Sequence, residues 1–407
     1  MNEHNSLPNM RFKGFTDKWK QEKLGNIATV EMNKRIYKNQ TNEKGEIPFY
    51  KIGTFGKKAD SFISNKLFNE YKKKYPYPKV GDILISASGT IGNTIVYKGE
   101  DAYFQDSNIV WLNINHNIIL NSFLYSFYQI VHWRGIEGST IKRLYNSNIL
   151  STPINYPSVN EQQKIGNFFA KLDKLLDLQQ QKIDKLELLK KALLQKLFPK
   201  HDTKIPELRF KGYDGEWEKE KLSKFGHTFS GLSGKTKKDF GHGKAKYITY
   251  MNVFKNPLTS KTELDDIEVD SKQHTVKYGD VLFTMSSETP DEVGMSSVWK
   301  YHLENIYLNS FSFGYRHSTK FDLNFLAFMF RSQVVREQIK ILAQGISRYN
   351  ISKNKMIDIL AYFPTESEQQ KIGNLLSKVD QLIELENKKL QNFQQVKKCL
   401  LQNMFVD

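Results

Sequence analysis

The sequence is poor in the residues and motifs that would let it do chemistry alone. It has 407 residues and a single cysteine, Cys399. One thiol excludes a disulfide framework and points to a reducing compartment. No stretch approaches the roughly twenty apolar residues of a membrane span. Residues Met1 to Met10 are polar and lack the apolar run of a secretory leader. The expectation is a cytoplasmic protein.

Catalytic signatures are missing too. Gly231-Leu232-Ser233-Gly234-Lys235-Thr236 ends like a phosphate loop, but Phe229 stands where that loop needs its first glycine. Pro290-Asp291 could open a metal-dependent nuclease motif, yet no Glu-x-Lys follows at a useful distance. The nine histidines are scattered without metal-ligand spacing. No G-x-G-x-x-G loop marks a nucleotide cofactor. Glu263, Asp265, Asp266, Glu268 and Asp270 cluster, and read as a solvated loop. The chain is therefore expected to be no enzyme by itself, with no metal and no cofactor bound.

What the chain does have is charge and repetition. Its net charge is +16 and its pI about 9.4. That imbalance suits a polyanionic partner. Residues 161–198, EQQKIGNFFAKLDKLLDLQQQKIDKLELLKKALLQKLF, recur without a gap as residues 368–405, EQQKIGNLLSKVDQLIELENKKLQNFQQVKKCLLQNMF. The offset is 207.

Each copy reads as one long helix. The seam Ile165, Phe169, Leu172, Leu176, Gln179, Ile183, Leu186, Lys190, Leu193, Leu197 steps by four and three, the coiled-coil period. The second copy runs Ile372, Leu376, Val379, Ile383, Glu386, Leu390, Phe393, Lys397, Leu400, Met404. The polar exceptions fall at matching places, and such residues often fix register. Phe168, Leu175, Leu178, Leu189 and Leu194 add a second apolar row, which calls for a further covering surface. Cys399 matches Ala192, which suggests a small packed residue. Each helix would be roughly 57 Å long.

A second repeat opens each half. PNMRFKGFTDKWKQEKL at 8–24 matches PELRFKGYDGEWEKEKL at 206–222, at an offset of 198. The offset still holds at Gly81-Asp82 and Gly279-Asp280, and becomes 207 by Gly138 and Gly345. The second half thus gains a net nine residues between those markers. The middles read as mixed structure. Strands are expected at Phe49–Ile52, Asp82–Ser86, Thr94–Tyr97 and Ile109–Leu112 in the first half. Tyr247–Val253, Val281–Met285, Ser296–Trp299 and Tyr307–Phe313 are their expected partners in the second. Helices are expected over Ser122–His132 and Asn324–Lys340.

The expected fold is α+β: two mixed α/β domains joined by two long helices packed as an antiparallel coiled coil, with an internal pseudo-twofold repeat. The segments are 1–159, the helix 160–199, a linker 200–205, 206–366 and the helix 367–407. Their apolar contacts are Ile165, Phe169, Leu172, Leu176, Ile183, Leu186, Leu193 and Leu197, with Ile372, Leu376, Val379, Ile383, Leu390, Phe393, Leu400 and Met404.

Candidate DNA contacts sit on polar turns after strands. They are Ser86, Ser88, Gly89, Thr90 and Asn93 in the first half, and Ser286, Ser287, Glu288 and Thr289 in the second. Small side chains and free amides there could approach phosphates and base edges, although an ordinary hairpin looks the same. A second stretch, Ser139 to Asn146, aligns by offset with Ile346 to Ile351. It offers Lys142, Arg143, Tyr145, Asn146, Arg348, Tyr349 and Asn350, of which Arg, Lys and Asn can bond guanine or adenine. A merely basic loop is the other reading. Lys57, Lys58, Lys72, Lys73, Lys74, Lys235, Lys237 and Lys238 are candidate phosphate contacts.

The paired EQQKIG helix starts, the RFKG…W…KL openings, the GDILIS/GDVLFT strands and the GSTIKRLYN/GISRYN loops together resemble one family over nearly the whole chain. It is the DNA-sequence specificity subunit of type I restriction–modification enzymes. The resemblance implies that each half holds a target recognition domain reading one part of a split, asymmetric site in double-stranded DNA. It implies that the helices space the domains and dock two methyltransferase subunits, which restriction and translocase subunits join. S-adenosylmethionine, ATP and Mg are then expected on the partners. The alternative from the residues is a stand-alone DNA-binding regulator braced by a coiled coil.

Overall fold

A computed structural model describes residues 7–133, 142–200 and 203–406. Ser139, Thr140 and Ile141 of the first candidate loop lie outside the described residues. So do His201 and Asp202 of the expected linker. Two compact units form, one from residues 1–180 with 389–407, the other from 181–388. They do not follow the five segments expected from sequence, because each unit takes part of both long helices.

Each unit repeats one scaffold. In the first, an antiparallel four-stranded sheet runs Ala28–Glu31, Ile109–Ile114, Ile83–Ser86, Thr94–Val96. In the second the order is Gly226–Ser230, Ser312–His317, Val281–Thr284, Ser296–Val298. The central strands Ile83–Ser86 and Val281–Thr284 are buried at every residue, because both sheet faces are covered. A three-stranded sheet completes each unit, Phe62–Ile63, Ile47–Tyr50, Tyr103–Phe104 in one and Leu264–Ile267, Phe240–Ile248, Ile306–Leu308 in the other.

Four expected elements differ, three of them for a local reason. Tyr247–Val253 divides into the strand Phe240–Ile248 and the helix Tyr250–Lys255. The Thr249 hydroxyl caps that helix by accepting from Asn252 N at 3.2 Å. Tyr307–Phe313 is two strands, broken where buried Asn309 accepts from Phe311 N at 3.0 Å and from Ser312 Oγ at 3.1 Å. Asn324–Lys340 is two helices, Leu323–Met329 and Gln333–Leu342, and the Ser332 hydroxyl between them donates to Met329 O at 2.6 Å. The helix expected over Ser122–His132 spans Asn121–Phe127. The acidic cluster also departs from a solvated loop. Leu264–Ile267 is a strand, and Asp266 accepts from Lys246 at 2.7 Å.

The motifs of the long helices have distinct mechanical duties. Glu161 and Glu368 are each 1% exposed and each accepts two bonds from an arginine of the RFKG stretch. Arg11 makes both at 2.7 Å, and Arg209 makes its pair at 2.8 and 2.9 Å. Burial with a bidentate partner is the arrangement in which such a charge is tolerated. Gln162 accepts from Leu120 N at 2.9 Å, and Gln369 accepts from Asp322 N at 3.2 Å. Each glutamine thereby satisfies an amide at the start of the domain's helix. A Cβ on Gly166 would sit 2.5 Å from Ser122, and one on Gly373 2.5 Å from Phe325 N, so glycine is what lets these helices approach.

The long helices span Val159–Lys196 and Glu366–Met404. In the second unit Lys182 pairs with Glu386 at 2.8 Å and Lys190 with Asp380. In the first unit Asp173 pairs with Lys397, and the Phe169 and Phe405 rings lie 6.2 Å apart. One number rises as the other falls, so the pairing is antiparallel in both. Ile165, Phe169, Ile183, Leu193, Leu197, Ile372, Leu376, Val379 and Met404 are buried. Leu172, Leu176, Leu186, Ile383, Leu390, Phe393 and Leu400 are half-buried. Cys399 is exposed, against the expectation of a packed residue.

Three of the polar residues in the seam, Lys190, Glu386 and Lys397, are thus members of ion pairs. Asp173–Lys397 and Lys190–Asp380 are the same pair at the offset of 207, one in each unit. Asp173→Lys is expected to cost about 1–3 kcal/mol by placing two ammonium groups together, the loss being moderated by partial exposure. Adding Lys397→Asp should recover most of it. Urea unfolding of the two single variants and the double completes the cycle, and additive losses would show that the pair is not coupled.

Candidate nucleic-acid interface

The two stretches singled out in each half lie far apart in sequence, and the fold joins them. In the first unit Ser88 bridges Arg143, and Leu144 N donates to Ala87 O at 2.8 Å. In the second unit Ser286–Ser287 pairs with Tyr349–Asn350, and Ile351 N donates to Met285 O at 3.0 Å. These are equivalent contacts. Ser88 corresponds to Ser286 at the first offset, and Arg143 to Asn350 at the second. Leu144 and Ile351 are buried under the pairing and anchor it to the core.

A third loop ties the first unit's site together and was not singled out from the sequence. Gln105 accepts from Ile52 N at 3.0 Å, and Asp106 accepts from Arg35 at 2.8 Å. Ser107 O accepts from Arg143 at 2.7 Å, and Asn108 accepts from the Ser88 hydroxyl at 2.8 Å. Four consecutive residues thus hold four separate segments. Ser107 does so at φ 53°, a left-handed conformation uncommon outside glycine. No local pattern announces such a hub, since its partners are all distant in sequence. The equivalent loop of the second unit presents Phe311, 57% exposed, with the Arg348 guanidinium 5.9 Å from its ring centre. Arg143 lies at the same 5.9 Å from the ring of exposed Tyr145. Each unit therefore offers an arginine beside an open aromatic face.

Not every candidate side chain is presented. Ser86 is buried, and its hydroxyl donates to Thr90 O and accepts from Asn93 N at 3.0 Å, closing the turn. Ser286 and Ser287 are buried in their ladder, and Ser287 donates to Glu292 at 3.3 Å. Lys235 is 12% exposed and pairs with Asp270 at 2.8 Å, which holds that carboxyl down to about 2. These four are corrections: their side chains are turned into the fold and are not presented to a partner. Lys72 and Lys74 pair with Asp101 and Glu70. Gly89, Thr90, Asn93, Lys142, Tyr145 and Asn146 are exposed in the first unit, and Ser88 and Arg143 are half-buried. In the second, Glu288, Thr289, Arg348 and Asn350 are exposed and Tyr349 is half-buried. Lys57, Lys58, Lys73, Lys237 and Lys238 are exposed, with no ion pair among the described residues.

The sequence model of the family described as the type I restriction modification DNA specificity domain matches residues 16–188 and 214–395. The chain belongs to this family. It is 57% identical over 152 residues to a type I restriction enzyme specificity subunit of Haemophilus influenzae. That match spans 37% of this chain and 40% of the relative's length. The MjaX specificity subunit of Methanocaldococcus jannaschii is 25% identical over 413 residues, 94% of this chain and 92% of that one. The fold is that of the crystallised S subunit from M. genitalium, with a TM-score of 0.59 at 16% identity over 98% of this chain and 99% of that one. It is shared with a type I system structure on complex assembly and conformational transition, with a TM-score of 0.56 at 14% identity over 95% and 97%. The family's part in such systems is DNA sequence specificity, and its members are not the catalytic chains. The two matched stretches of this specificity chain each run from a mixed domain into a long helix. Among its described residues no helix is long and apolar enough to cross a membrane.

Proposed function

We propose that this chain reads the two halves of a split, asymmetric site in double-stranded DNA, one half with each unit. The observation that carries this is an equal scaffold bearing unequal loops. The ladder that joins the two loops is the same in both units, yet Arg143 stands where the other has Asn350. Arginine suits guanine O6 and N7, whereas asparagine suits adenine N6 and N7. Like frames with unlike readers give a site whose halves differ.

The same chain docks two copies of a methyltransferase subunit, and restriction subunits join them. Leu175, Leu178 and Val396 of the first unit are 42, 52 and 51% exposed. Their counterparts Leu382, Leu385 and Leu189 of the second are 38, 50 and 47% exposed. No described element covers either set. Two matching apolar patches call for two copies of one partner. S-adenosylmethionine, ATP and Mg belong to those partners, and the assembly works in the cytoplasm.

Exchange of residues 25–145 for the matching region of another family member tests the reading. Methylation mapping in cells that carry the variant and its methyltransferase should show one half-site replaced and the other kept. A change in both halves would sink the model of two independent readers.

A further inference from the structure

The nine extra residues of the second half lie in two places, and those places hold each other. Ser86 O accepts from Gly92 N at 2.9 Å, as Thr284 O accepts from Gly294 N at 3.1 Å. The Ser86 and Thr284 hydroxyls accept from the next amides, Asn93 and Met295, both at 3.0 Å. The two turns are therefore equivalent at their ends, but five residues separate Ser86 from Gly92 and nine separate Thr284 from Gly294. Four of the nine extra residues are thus in this loop. The other five lie between Met329 and Asn350, the stretch that carries the helix Gln333–Leu342.

That helix clasps the longer loop. Arg336 donates to the main-chain oxygens of Gly294 at 2.7 Å, Val293 at 2.7 Å and Asp291 at 2.8 Å. Lys340 pairs with the Asp291 carboxylate. A Cβ on Gly294, at φ +66°, would sit 2.6 Å from Ile339 and 2.8 Å from Ile351, so loop, helix and reading strand are in contact there. The guanidinium fork is the group that can hold three carbonyls at once. On the loop's near side Glu292 accepts from Thr289 at 2.9 Å and from Ser287 at 3.3 Å. Glu288, next to the Ser287–Tyr349 pairing, is exposed, and its carboxylate meets no donor among the described residues.

We propose that this clasped loop is a base-reading element of the second unit, with Glu288 accepting a hydrogen bond from an exocyclic amino group in the major groove and Arg336 as the residue that positions the loop. The inference rests on the DNA-reading role proposed above. A carboxylate facing DNA is repelled by phosphates, and only the amino groups of cytosine N4 and adenine N6 offer it a donor in that groove. Rigid support from Arg336 gives that contact its geometric selectivity, since a reader on a loose loop discriminates poorly.

The experiment is methylation mapping with the full chain and its methyltransferase. Glu288→Ala should relax one base position of one half-site by ~10- to 100-fold in preference and leave the other half-site intact. Glu288→Gln should shift that position toward adenine, which glutamine can bond at N6 and N7. The wild-type base at the relaxed position distinguishes cytosine from adenine. Arg336→Gln should weaken discrimination over the same half-site, and Arg336→Lys should recover part of it. An unchanged motif with Glu288→Ala overturns the proposal, and because this side chain is exposed the variant folds even if Arg336→Gln does not. Equal damage to both half-sites by Arg336→Gln overturns the positioning role. A wild-type complex with no two-part motif would overturn the DNA-reading role, and this inference with it.

Discussion

Phe405→Asp is expected to remove most of the stability of the first unit. Phe405 is 5% exposed and plugs a cluster of aromatic rings. Its ring centre lies 5.0 Å from Phe123, 6.1 Å from Trp19 and 6.2 Å from Phe169. Truncating such a ring costs about 3–5 kcal/mol, and an unpaired carboxylate in its place adds to that. The sum is comparable with the roughly 5–15 kcal/mol that holds a typical domain folded. Phe198 plugs the second unit in the same way, 6.2 Å from Trp217 and 5.7 Å from Phe325. Phe198→Asp should therefore act on that unit. Denaturant unfolding followed by tryptophan fluorescence measures both. A wild-type midpoint for either variant would show that the helix ends are not structural plugs.

DNA affinity is expected to fall by roughly 10³ to 10⁵ between 50 and 200 mM salt, the range for six to ten neutralised phosphates. The net charge of +16 motivates this, and its distribution sharpens it. Lys57, Lys58, Lys142, Lys237 and Lys238 are exposed and form no ion pair among the described residues. Lys57→Ala with Lys58→Ala should lower the slope of log affinity against log salt by about two, and weaken all sequences alike. Arg348→Ala should instead alter the preferred sequence, because an arginine beside an open ring is suited to base edges. A flat salt curve for the complex would argue against a phosphate-binding surface. A steep curve unchanged by the lysine pair would move that surface elsewhere.

Much of this protein was legible in the residues alone, wherever the governing physics is local or periodic. The repeat at 207 and its four-three spacing specified two long helices and the polar places in their seam, because helical period is written in sequence. The RFKG and EQQKIG motifs were visible, although not their purpose. Arg11 and Glu161 are 150 positions apart, and nothing in either stretch says that one carboxylate takes both bonds of the other's guanidinium. Capping decided where helices and strands broke. Thr249, Asn309 and Ser332 each satisfied a nearby main-chain group more cheaply than continued regular structure did.

Only the tertiary structure could say which polar residues remain available to a partner. Ser86 and Thr90 carry the same kind of hydroxyl in the same turn, yet Ser86 points inward and closes it, while Thr90 is exposed. Likewise Lys235 is consumed by Asp270, and its neighbours Lys237 and Lys238 are free of ion pairs among the described residues. The joining of Ser88 to Arg143 and of Ser286 to Asn350 depends on a core that closes over more than fifty intervening residues. Such pairing follows from burying Leu144 and Ile351, a long-range gain that no window along the chain contains.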